Sequence, residues 1–168
     1  MVKAQILFKL SGLAAILGGL GRMAAALPLP LDPVALEWLY TTIDILFVLV
    51  LTCIYLIRAE ALGFLGLTAF TVAMAALSFI GGPDADPFGF STYQEGAAAL
   101  AIALVGLSIA WLRTGQRPLA PPLLWFASVV AAGVLSMLPA TAPYGFTVAG
   151  FLFGAAFVAA GLDLARRP

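Results

Sequence analysis

Apolar and polar positions alternate along this chain in long blocks. Stretches near Gln5–Leu27, Val34–Ile57, Ala61–Ile80, Gly96–Leu112, Pro122–Leu138 and Phe146–Leu164 carry few charges. Each runs to about 17–24 residues, the length that crosses a hydrocarbon layer of about 30 Å as a helix. None has the broad polar face of a helix on a water-soluble core. The pattern predicts an all-α integral membrane bundle of six transmembrane helices in a single domain over residues 1–168.

The punctuation between blocks agrees. Pro28, Pro30 and Pro33 around Leu29, Leu31 and Asp32 form a stiff turn, because each proline fixes its own backbone and keeps its predecessor out of the helical region. Arg58-Ala59-Glu60 is read as a minimal turn, 114–121 as a polar loop and 139–145 as an uncharged turn. The one long connection is 81–94, where Pro83, Asp84, Asp86, Pro87, Phe88 and Phe90 mix turn formers with two aromatics.

Charge orients the ladder. Of the eight basic residues, Lys3, Lys9, Arg58, Arg113, Arg117, Arg166 and Arg167 share one side of the six segments, and Arg22 alone lies toward the other. Asp32, Asp84, Asp86 and Glu95 gather on the Arg22 side. Basic residues at span ends stay in the cytoplasm. Both termini are therefore expected inside and residues 81–94 outside, in a multi-pass protein of the cell membrane (the inner membrane in a bacterium). Lys3, Lys9 and the Ala24-Ala25-Ala26 run imitate a cleavable secretory signal. Arg22 directly before the alanines opposes that, so the segment is taken as the first span.

Composition narrows the function. At 63% hydrophobic and 10% charged, with a mean hydropathy of +1.10, the chain has its partner in the lipid bilayer. No basic tract with interleaved aromatics suggests nucleic acid. The sequence contains no histidine, which removes bis-histidine haem, histidine-ligated metal and Ser–His or Cys–His nucleophiles. Cys53, the single cysteine, reads as a packing residue. No cofactor is expected, and no enzyme.

An internal repeat is suggested by an offset of 87 residues, which pairs Leu13 with Leu100, Gly19 with Gly106, Trp38 with Trp125, Gly63 with Gly150, Phe64 with Phe151, Ala69 with Ala156 and Phe70 with Phe157. Halves 1–81 and 88–168, with three spans each, would insert in opposite senses as a 3+3 inverted repeat. Small residues supply helix contacts where lipid offers no hydrophobic drive. Gly150/Gly154, Ala99/Ala103, Gly106/Ala110 and the face Ser11, Ala15, Gly18 and Arg22 are such patterns.

The second segment holds the candidate chemistry. At 100° per residue Glu37, Thr41, Asp44, Val48, Thr52 and Tyr55 fall within about 80°. Asp44 lies about 15 Å into the span, near mid-membrane, where a carboxylate costs roughly 2.5–3.5 kcal/mol and must find a partner or water. The functional expectation is a polar cavity open to the outside. There Asp44 binds a proton, cation or small solute, Thr41 lies beside it, Glu37 and Glu95 guard the mouth, and Arg22 shapes the field. The competing expectation is an Arg22–Glu37 ion pair with Asp44 satisfied by threonines or backbone. An aspartyl dyad of Asp44 with Asp163 is rejected on depth. Trp38, Trp111, Trp125, Tyr93 and Tyr144 near segment ends read as an interfacial belt. Thr68, Thr71 and Ser78 are read either as cavity-lining or as bonded to their own backbone.

Two function classes follow. One is a channel- or transporter-like protein moving a proton, cation or small solute past Asp44. The other is a non-catalytic membrane subunit or a binder of a lipophilic ligand such as lipid or quinone. A homo-oligomer is compatible with either. A hydrated cavity at Asp44 favours the first and a dry one lined by Leu, Phe and Ala the second.

Overall fold

The computed structural model describes residues 4–81, 89 and 91–167. The expectations for Lys3, Asp84, Asp86, Phe88 and Phe90 fall outside the described residues. The fold is all-α, with helices α1 (Ala4–Ala25), α2 (Pro33–Ile80), α3 (Thr92–Thr114), α4 (Ala120–Met137) and α5 (Ala142–Ala165). All five are long and apolar enough to cross a membrane.

The expected six separate helices become five. The second and third segments share α2, because Arg58-Ala59-Glu60 has neither glycine nor proline to stop the helical ladder. The break falls instead at Gly63, whose φ of 59° and ψ of −156° leave the helical region. Such a backbone is costly for any residue with a Cβ. The chain folds back there: the rings of Tyr55 and Phe70 stack with centroids 4.4 Å apart, where a straight helix would separate them by about 22 Å.

Other boundaries follow local chemistry. Asp32 accepts a hydrogen bond from Ala35 N at 3.0 Å and precedes Pro33 at the first helical position, so it is an N-cap. Ser91 caps α3 through Gln94 N, which starts that helix four residues before the expected Gly96. Gly115 closes it in the left-handed conformation.

Small residues set the packing. Helix α1 lies against α5 with Gly12 opposite Gly161 and Gly19 opposite Gly154; a Cβ on Gly19 would sit 2.5 Å from the Gly154 carbonyl oxygen. Its other face meets α2, where Gly18 receives the ring of Phe47. Helix α3 approaches the second arm of α2 in the same manner, Gly96 against Ala76 and Ile80, and Gly106 against Ala69. Cys53 is buried in this packing.

Gly19→Ala should therefore destabilise the protein by about 1–3 kcal/mol through forced separation of α1 and α5. Gly133→Ala, where an added Cβ meets nothing within 4 Å, should be neutral or better. Unfolding of both variants in mild detergent checks the contrast, and equal effects would refute the close-approach account.

Candidate ligand cavity

All five helices contribute to a cavity of about 590 Å³ at the Arg22 end of the molecule. On α2 the spacing of Tyr40, Ile43, Asp44 and Phe47 places four side chains on one face, and all four line it. Arg22 enters from α1. Helix α3 supplies Tyr93, Gln94, Ala97, Ala98 and Ala101, again three and four residues apart. Ser128 and Ala132 come from α4, and Phe146, Gly150 and Phe153 from α5. Most of the wall is Ala, Phe, Leu, Ile and Val. The polar groups are Arg22, Asp44, Gln94, Ser128 and the two tyrosines.

Asp44 and Arg22 are brought together, as the sequence suggests, yet they are not in contact. Neither makes an ion pair or a side-chain hydrogen bond among the described residues. Arg22 lies over the ring of Tyr40, 6.0 Å from its centre. The expected Arg22–Glu37 pair does not form: Glu37 is exposed and away from the cavity wall. Glu95 is exposed too, and its neighbours Tyr93 and Gln94 take the wall positions. Thr41 is half-buried outside the wall.

The inward face of α2 is thus rotated by about 90° from the expected polar stripe. The cause is packing: Ile43, Phe47, Val50 and Ile54 are all buried, and their burial turns the helix so that Asp44 sits at the edge of the cavity face. Thr52 donates to Val48 O at 2.8 Å. Thr68, Thr71 and Ser78 likewise bond the carbonyls four residues back and are exposed, and none of the three lines the Asp44 cavity.

A column of rings closes the cavity floor. Phe47 stacks on Phe157 with centroids 3.8 Å apart, and Phe153 meets both rings at 5.6 and 5.2 Å. Trp125 packs edge-on to Phe157 at 5.2 Å, and Trp111 to Trp125 at 6.2 Å. This corrects the expected interfacial belt. Trp38 is 70% exposed, but Trp111 and Trp125 are inside the protein at 1% and 0%, because bundle packing claims their area.

The column ends on Arg58, whose guanidinium lies 3.9 Å from the centre of the Trp111 ring. Arg58 is 4% exposed. It donates to Gln116 Oε1 at 2.9 Å, to the Arg117 carbonyl at 3.1 Å and to Asp163 Oδ2 at 3.2 Å. Trp111 Nε1 donates to Gln116 O, and Arg167 adds a second bond to Asp163 at 3.0 Å. Arg58, expected in a minimal turn, forms with Asp163 and Arg167 a joint among α2, α5 and the α3–α4 connection. Only the reversal at Gly63, five residues on, would have placed Arg58 inside.

Comparison with known protein families, curated proteins and solved structures gives no match.

Replacing Arg58 should be severe. Arg58→Ala removes three hydrogen bonds and the Trp111 stack, with an expected loss of about 3–5 kcal/mol from an opened buried pair. Arg58→Lys should recover little, since an ammonium lacks the planar fork that meets Gln116 and Asp163 at once. Thermal unfolding of the two variants measures this; full rescue by lysine would show that charge alone suffices.

Proposed function

We propose that this is a multi-pass membrane protein that takes up a small solute or ion into the Asp44 cavity and moves it across the bilayer. In this reading the chain crosses six times, the two arms of α2 counting as separate spans. Both termini are cytoplasmic, as the bias of basic residues implies. The cavity then faces outward and the Arg58 joint inward.

The observation that carries the proposal is the pair of opposite charges, unpaired among the described residues, that line one largely apolar cavity. A charged group within an apolar segment is costly and is retained chiefly where it meets a ligand, a partner or water. A cavity of this size, mostly apolar with a few convergent polar groups, has the dimensions of a small-molecule site. The aromatic column speaks against an open pore and for a site reached from one side at a time.

Helices α1 and α5 meet through Gly19 and Gly154, and α2 and α3 through Ala69 and Gly106, pairs of close small-residue contacts that an inverted 3+3 arrangement would also contain. A second reading, a binder of a lipophilic ligand such as lipid or quinone, draws on the alanine- and phenylalanine-rich wall.

Asp44→Asn keeps size and hydrogen-bonding capacity while removing the charge. Reconstituted in liposomes, it should abolish cation- or pH-dependent uptake that the wild type supports. Wild-type uptake that survives the substitution would refute the role of Asp44. A wild type that moves no tested solute, yet copurifies with a lipophilic molecule by native mass spectrometry, would favour the binder.

A further inference from the structure

We infer that the cavity is shaped for a zwitterion, with its ammonium at Asp44, its acidic group at Arg22 and its apolar atoms against the alanine wall. This rests on the proposed uptake at Asp44 and names the chemistry of what is taken up. Arg22 and Asp44 face the same space without pairing. Had the fold needed only mutual neutralisation, a direct contact would give it at the lowest desolvation cost.

Arg22 lies over the Tyr40 ring, 6.0 Å from its centre, and Tyr40 stands one helical turn before Asp44 on α2. No ion pair joins the two charges among the described residues, so a ligand that satisfies both presents its cation and its anion at separate points. A guanidinium forks onto phosphate or carboxylate. Phosphocholine has this arrangement, either as a free solute or as the headgroup of a lipid.

The test is equilibrium binding of radiolabelled phosphocholine to the full chain purified in maltoside detergent, beside choline alone and inorganic phosphate alone. Phosphocholine should bind about tenfold or more tighter than either half. Asp44→Asn and Arg22→Gln should each bring it down to the level of a half, and Ala101→Leu, which fills the cavity without touching either charge, should weaken all binding. Competition by phosphatidylcholine in phosphatidylglycerol nanodiscs, with no effect of phosphatidylglycerol alone, would identify the lipid headgroup as the source; no competition would identify the free solute. Choline binding as tightly as phosphocholine, lost in Asp44→Asn and untouched by Arg22→Gln, would overturn the zwitterion while leaving uptake at Asp44 intact. No binding of phosphocholine to the wild type would overturn the zwitterion as well, and the liposome uptake measurement would then judge the wider reading separately.

Discussion

A guanidinium buried in an apolar bundle needs partners, and the rest of this structure is arranged around those of Arg58, whose two terminal nitrogens are bonded while Nε has no partner among the described residues. Its hydrogen bonds reach α5 and the α3–α4 connection, and its face lies on Trp111 of α3. With Gly63 reversing the chain five residues later, these contacts fix where the second arm of α2 begins. The ion pair at the Arg58 end is linked through packed rings to the Arg22 end. The connection is physical: Trp111, Trp125, Phe157 and Phe47 touch in sequence, and Phe47 is itself part of the cavity wall.

The two ends use charge in opposite ways. At the Arg58 end Arg58, Asp163 and Arg167 are paired, in a geometry dense enough to hold helices together. At the Arg22 end one cation and one anion are kept apart in a space that includes alanines, where larger side chains would have filled the gap. Burying unpaired charge is unfavourable, so the second arrangement is stable when water or a ligand completes it. The aromatic column between them keeps the ends separate. Any movement of solute past it would require Phe47 and Phe157 to part, which packed rings do in discrete steps and not gradually.

Much of the helical content was legible in the sequence, because span length and turn chemistry are local properties. Asp32, Pro33 and Gly115 mark ends that the structure keeps. The break in α2 was misplaced because charged residues look like a turn, while the backbone obeys glycine. The site was half legible. Asp44 and Arg22 stand out as charges in apolar runs. Tyr40, Gln94 and Ser128 do not, since which face of each helix turns inward is decided by packing among Ile43, Phe47, Val50 and their partners. Glu37 and Glu95 were assigned to the site by polarity alone, and the same packing leaves them outside it. Trp111 and Trp125 misled for a related reason: tryptophan near a span end suits an interface and an interior equally, and only the position of Arg58 distinguishes the two.

The central claim is that a solvent-reachable cavity opens beside Asp44 on the side opposite the Arg58 joint. Single cysteines at Ala132 in the cavity and at Gln116 beside Arg58, each introduced with Cys53→Ala, test it in intact cells with a membrane-impermeant thiol reagent. The account predicts that the cysteine at 132 is modified from outside while that at 116 reacts only after the membrane is opened. Modification of 116 and not 132 in intact cells would reverse the orientation. A cysteine at 132 that stays unreactive even in opened membranes would contradict the cavity itself.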